Sequence, residues 1–189
     1  MGNYFLESEL EFGGDFDGAG ESLAGKPGFD LRALRDTYGN FATGVTVITA
    51  QDASGEVSGA TVNSFTSVSL DPPLLLVCFI RASRTLKTLH RARRFAVQIL
   101  AQGQDDIAWH FAGRPKETDP PEISAVTPRG VPCLNDALCV IDCDVSQVLP
   151  GGDHRIVLGE VKGFEMSKSH TEPLVFHRGR FGDFGPKEE

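Results

Sequence analysis

Between Gly59 and Pro73 the chain reads GATVNSFTSVSLDPP, and this stretch does most to limit what can be built around it. Thr61, Val62, Asn63, Ser64, Thr66, Ser67 and Ser69 are too polar for an ordinary core strand. They are also too β-branched, and too short of glycine, for an ordinary loop. A strand of this make-up can close a barrel with one face and offer hydroxyls, an amide and backbone N–H groups to a small molecule with the other. The same residues also fit a polar edge strand beside a turn, and composition alone does not choose between the two. Asp71-Pro72-Pro73 ends the stretch, because proline removes donors and restricts the residue before it.

The rest of the chain reads as strands joined by turns or single helices. Asp30 is a good N-cap, followed by Leu31, Leu34, Tyr38 and Phe41 on one helical face. Thr43 to Ala50 is a strand, and after the turn Asp52-Ala-Ser-Gly55 it pairs as a hairpin with a single strand from Val57 to Leu70. Leu74 to Ile80 (LLLVCFI) is a continuous apolar run, expected to be buried on both faces. Ser83 caps a helix from Arg84 to Arg91. Phe95 to Leu100 is a strand, and Gln102 to Phe111 a helix with Asp105 and Asp106 in its first turn. Gly113 to Leu134 reads as a Pro-rich connection, long enough to be functional or mobile. Ala137 to Leu149 and His154 to Met166 form a hairpin around Pro150-Gly-Gly-Asp153, and Val175 to Phe184 is a last extended segment. Without a regular βαβ rhythm, the expected class is mainly β: an antiparallel barrel with peripheral helices.

The 189 residues, 40% of them hydrophobic and 23% charged, suit one soluble domain with a sizeable core. We expect that domain to occupy 29–189, after a mostly disordered, acidic, Gly-rich extension over 1–28. The extension holds Glu7, Glu9, Glu11, Asp15, Asp17 and Glu21 against Lys26 alone, hence five of the eight net negative charges. A chain of net charge −8 is a poor partner for nucleic acid, whose phosphates are bound by cations. No apolar run is long enough to span a bilayer, and no signal peptide is visible, so a cytoplasmic location is expected. Cys78, Cys133, Cys139 and Cys143 lack CxxC spacing, and His90, His110, His170 and His177 share no metal-ligand spacing. No metal site is expected. The cysteines read as small buried hydrophobes in a reducing compartment.

Four short motifs occur in order: Phe41-Ala42-Thr43-Gly44-Val45, Ser83-Arg84-Thr85, Gly152-Asp153-His154 and Pro173-Leu174. With the polar stretch they resemble the short-chain flavin reductases, the small components of two-component flavin-dependent monooxygenases. The resemblance covers most of the chain after residue 30. It implies the FMN-binding split-barrel fold, usually as a homodimer. It also implies binding of FMN or FAD, and of NADH or NADPH as hydride donor.

Chemistry and resemblance together nominate the site. Ser83, Arg84 and Thr85 place two hydroxyls and a guanidinium at a helix start, a setting suited to phosphate, although an ordinary serine cap with solvated neighbours fits as well. The resemblance implies that they contact the flavin phosphate, that Thr61, Val62, Asn63 and Ser64 contact the isoalloxazine ring, and that Phe111 lies near it. It places His154 beside the flavin where nicotinamide stacks, and Phe181 on the nicotinamide side. From the residues alone, His154 is equally an exposed turn residue. Hydride transfer needs two rings held in contact and stabilisation of the charge that develops, and no general base. The resemblance therefore gives His154 a positioning and electrostatic role, with proton delivery as an addition.

The expected function is that of an NAD(P)H:flavin oxidoreductase handing reduced flavin to a separate monooxygenase. Two other readings stay open at this stage. One is a flavoprotein that keeps FMN and acts on its own substrate. The other is a non-catalytic flavin-binding module whose acidic tail recruits a partner.

Overall fold

The computed structural model describes residues 22, 24–115, 121–169 and 172–185. Of the expected disordered extension, 1–28, all but residues 22 and 24–28 lie outside them. Ordered along the chain are α1 (Leu31–Tyr38), β1 (Thr43–Gly44), β2 (Thr46–Gln51), β3 (Val57–Val62), β4 (Thr66–Leu70), β5 (Pro73–Ile80), α2 (Arg84–Ala92) and β6 (Arg94–Ile99). Then follow α3 (Asp105–Phe111), β7 (Ala125–Val126), β8 (Pro132–Cys133), β9 (Cys139–Gly151), β10 (His154–Met166), β11 (Leu174–His177) and β12 (Arg180–Asp183). Among the described residues no helix is long and apolar enough to cross a membrane.

Seven strands form one antiparallel sheet in the order β3-β2-β6-β9-β10-β5-β4. Its outermost strands, β3 and β4, are consecutive in the chain. Laid flat, they would lie six strand spacings apart, about 29 Å. The segment from Val62 to Thr66 reaches at most about 14 Å. The sheet therefore has to curl until its edges meet, and β3 also touches β5. The result is an antiparallel barrel, as expected, and its opening lies between β3 and β4. A three-stranded sheet, β1-β11-β12, and the small β7-β8 hairpin lie beside it.

The polar stretch is thus two strands, where the sequence predicts one. β3 pairs with β2, while β4 pairs with β5 around the turn at Asp71-Pro72. The break at Asn63-Ser64-Phe65 is where the chain crosses from one edge to the other. Three further expectations are corrected. The 113–134 connection contains the β7-β8 hairpin. The 175–184 segment is a hairpin, β11-β12, turning on Arg178 and Gly179, both at positive φ, the geometry of a tight two-residue turn. Val45 interrupts the first predicted strand, leaving Thr43–Gly44 to pair with β11 instead.

Ile48, Leu75, Val77, Phe79, Phe95, Val97, Cys143 and Val157 fill the barrel, and α2 adds Leu86 and Leu89 to them. Each such side chain contributes on the order of 1.5–3 kcal/mol by leaving water. β5 is less enclosed than its apolar run predicts. Leu75, Val77 and Phe79 are buried, while the alternate residues are only partly covered and Ile80 is exposed. Burial pushes the Cys143 thiol up to about 12, which keeps it protonated and inert, as expected of a structural cysteine. A second cluster outside the barrel joins Val45, Val47, Leu100 and Leu174 to Ala108 of α3.

Gly159 of β10 is needed for this packing. A Cβ there would lie 2.5 Å from Phe95 Cζ and 3.2 Å from Cys143 Cβ, and Phe95 is fully buried. Gly159→Ala should cost about 1–3 kcal/mol by overpacking and lower the calorimetric melting temperature. An unchanged melting temperature would mean that the Phe95 ring moves aside freely.

Asp30 caps α1 as predicted, its carboxylate accepting from the Arg32 N–H at 2.8 Å and the Ala33 N–H at 3.2 Å. The apolar face predicted for that helix is not buried. Leu31, Tyr38 and Phe41 are all exposed.

Candidate functional site

The β9-β10 hairpin turns at Gly152 and Asp153. Gly152 has φ +66, a conformation glycine adopts without strain. His154 opens β10 opposite Gly151 on β9 and Ile80 on β5. The Arg81 N–H donates to the Asp153 carbonyl at 3.1 Å, and the Ser83 N–H to the Ile80 carbonyl at 2.9 Å. These bonds bring the Gly-Asp-His turn to the start of α2, although some seventy positions separate the two motifs in sequence.

Both meet the seam between β3 and β4. The cleft there has a volume of about 370 Å³ and is lined by Thr61, Val62, Asn63 and Ser64 from the seam, by Ser83 and His154, and by Phe111 from α3. Ala60, Cys78, Phe79, Ile80 and Ala112 complete it. Seven of the ten nominated residues are thus gathered at one place. The residues missed from sequence are mostly those of β5. The register supplies the signal that was available, since pairing His154 with Ile80 puts the end of β5 at the same rim.

Several nominated side chains already have partners. The Thr61 hydroxyl donates to the Ala108 carbonyl at 2.7 Å, tying β3 to α3. The Ser64 hydroxyl accepts from the Cys78 N–H at 2.8 Å and donates to its carbonyl at 3.3 Å. It stitches the seam to β5. Ser83 Oγ caps α2 by accepting from the Leu86 N–H at 3.2 Å. Phe111 packs over Gly59, where a Cβ would come within 2.5 Å of the ring. Asn63 is different: its exposed side-chain amide forms no hydrogen bond to another described residue. β3 is also an edge strand, so every other backbone N–H and C=O points away from β2.

Three nominated residues lie off this cleft. Arg84 is exposed at the first position of α2. Thr85 is only 3% exposed, on the helix face turned to the barrel. Phe181 packs edge-on against Trp109, ring centroids 5.0 Å apart, and against Phe176 at 5.4 Å. It lines a separate cleft with His177 and Arg178.

That cleft is larger, about 770 Å³, and another of about 620 Å³ is edged by Arg91, Arg93, Arg94 and Arg129. Volume does not decide between them. A small-molecule site is marked by a few polar groups converging on an apolar wall. The seam cleft has that wall in Val62, Phe79, Ile80 and Phe111, with Asn63, Ser83 and His154 around it.

His154 is held by its neighbour: Nδ1 lies 2.7 Å from Asp153 Oδ1. The hydrogen bond from His154, then its charge, holds the Asp153 carboxyl below the usual range. Burial raises the Cys78 thiol, against the opposing bond from Ser64.

Residues 38–185 match the family model described as a flavin reductase like domain. A probable flavin reductase of Rhizobium meliloti is 48% identical over 84% of this chain, and the match spans 50% of that protein. The chain therefore covers half the length of this relative. The reductase subunit HsaB of a flavin-dependent monooxygenase from Rhodococcus jostii is 33% identical over 88% of this chain and 85% of its own. Among solved structures, the NADH:FAD oxidoreductase SgcE6 of Streptomyces globisporus, in complex with NAD and FAD fragments, superposes with a TM-score of 0.75. It is 34% identical over 85% of this chain and 96% of that one.

Proposed function

Since the chain belongs to the flavin reductase-like domain family, we propose that it is an NAD(P)H:flavin oxidoreductase that supplies reduced flavin to a separate monooxygenase component. The observation that carries this reading is the seam cleft, where the polar stretch, the start of α2 and the Gly-Asp-His turn converge. Relatives named as a monooxygenase reductase subunit and as an NADH:FAD oxidoreductase support it.

The residues present fit a flavin. A flat ring suits the wall of Val62, Phe79, Ile80 and Phe111, and the Asn63 amide offers a donor and an acceptor to the ring's polar edge. Ser83, Arg84 and the start of α2 offer donors and positive charge for a phosphate. Thr61, Ser64 and Thr85 act as struts, holding α3, the seam and α2 in place. When both are bound, the nicotinamide would supply a hydride and the flavin would accept it, with a proton from solvent balancing the charge. The chain's task is to hold the two rings in contact and to set His154 beside the growing negative charge.

We further place the protein in the cytoplasm, in keeping with four free cysteines, and read it as a homodimer, which would give the exposed apolar residues of α1 a partner. The deciding experiment measures NADH and NADPH oxidation with FMN, FAD and riboflavin in turn. No oxidation with any of them would refute the reading. Protein that stays yellow through dialysis and reduces no added flavin would favour a flavoprotein acting on its own substrate.

Arg84→Ala should weaken FMN binding by roughly ten- to a hundred-fold, the loss of one charge-assisted contact of about 1.5–3 kcal/mol. Riboflavin, which has no phosphate, should bind as before. Equal losses in titrations of the two flavins would assign Arg84 to the fold.

A further inference from the structure

We infer that Asp153 positions His154, its carboxylate accepting the Nδ1–H and so fixing the imidazole as the tautomer whose Nε2 is left to the cleft. The functional part of this inference rests on the flavin reductase reading. The structural part does not.

The geometry is direct. Asp153 Oδ1 is 2.7 Å from His154 Nδ1, and a carboxylate held below its usual range can only accept there. Which nitrogen of a neutral imidazole carries the proton is set by the bond the other nitrogen makes. Free histidine favours the proton on Nε2, so Asp153 reverses the ordinary preference. The backbone keeps the pair in register. Gly152 supplies the positive φ that brings Asp153 round the turn, the Asp153 carbonyl is tied to the Arg81 N–H, and His154 is paired to Ile80.

The pair is too exposed to serve stability. The Asp153 side chain is 91% exposed and that of His154 40%, and such pairs contribute little to folding in water. An orienting role is different. With Nδ1 occupied, a neutral ring presents an acceptor at Nε2 and a protonated ring presents a second donor. Either way, Nε2 is the ring nitrogen left for whatever enters the cleft.

The test uses ¹⁵N-labelled full-length protein in alkaline buffer, with the His154 ring nitrogens read by long-range ¹H–¹⁵N correlation. The proton should sit on Nδ1 in the wild type and in Asp153→Asn, whose amide oxygen still accepts. It should move to Nε2 in Asp153→Ala. Stopped-flow reduction of bound flavin by NADH should slow about tenfold in Asp153→Ala, a 1.36 kcal/mol effect, and recover in Asp153→Asn, with flavin affinity unchanged throughout. A wild-type proton on Nε2, or a tautomer indifferent to Asp153→Ala, overturns the inference. A tautomer that switches while flavin reduction keeps its rate upholds the inference, and overturns instead the role given to His154.

Discussion

His154→Ala should lower kcat/KM for NADH by about ten- to a thousand-fold, while the melting temperature and flavin affinity stay near those of the wild type. The range corresponds to the loss of one positioning and electrostatic contact, each tenfold being 1.36 kcal/mol. Stability should hold because His154 is at a strand end, partly exposed, and among the described residues its side chain is bonded only to the neighbouring Asp153. Flavin affinity should hold because Asn63, Ser83, Arg84 and the apolar wall remain. Stopped-flow reduction of bound flavin separates a slower hydride step from weaker NADH binding, which KM alone confounds. If the variant matches wild type in both, the nicotinamide has to be held elsewhere. The cleft lined by His177, Arg178 and Phe181 is then the place to look.

Asp142→Ala should destabilise the fold by about 3 kcal/mol, the low end expected when one partner of a buried ion pair is removed. Asp142 is 3% exposed on β9. It accepts from the Thr127 hydroxyl and from Arg129 Nη1 at 3.4 Å, while Arg129 Nη2 reaches Asp144 at 2.9 Å. These bonds clip the β7-β8 hairpin over the sheet, where Val131 and Cys133 pack on Ala96 and Val140. Without Asp142, Thr127 loses its acceptor and, among the described residues, Arg129 keeps only the more exposed Asp144. Removing Asp144 instead should cost 1 kcal/mol or less, roughly the worth of a surface pair. Urea titrations of both variants measure the contrast. Equal midpoints would show that the clip is not held by the buried carboxylate.

Much of this molecule follows from short-range rules. Asp30 and Ser83 cap their helices because a cap needs only its own next three residues. The Gly152-Asp153 turn and its long hairpin could be read from alternation and one glycine. The break at Asn63-Ser64-Phe65 could not. Those residues continue the strand pattern on both sides, and only barrel closure makes the chain change partners there. The hydroxyls of Thr61 and Ser64 read as ligand-facing for the same reason. Their partners, Ala108 and Cys78, lie 47 and 14 residues away, beyond the reach of local pattern. Asp142 carries no signal inside the alternating β9, since nothing near it in sequence announces the Thr127-Arg129 hairpin that meets it. The resemblance places Phe181 on the nicotinamide side, and its packing on Trp109 joins residues too far apart in sequence for local pattern to show.

The seam itself has an evolutionary consequence. β3 and β4 do not pair with each other, so the three residues joining them contribute no rung to the seven-stranded ladder. The backbone there is free to drift in sequence, while the hydrogen bonds that hold the barrel lie elsewhere. On the proposed function, selection can rewrite Asn63 to suit a different ring edge and leave the pairing of the other strands as it was. Ser64 and Phe65 are the two anchors such drift has to respect, one bonded to Cys78 and the other packed against the barrel interior. With a ligand held on the seam, as we propose, such an architecture separates the inheritance of shape from the inheritance of specificity.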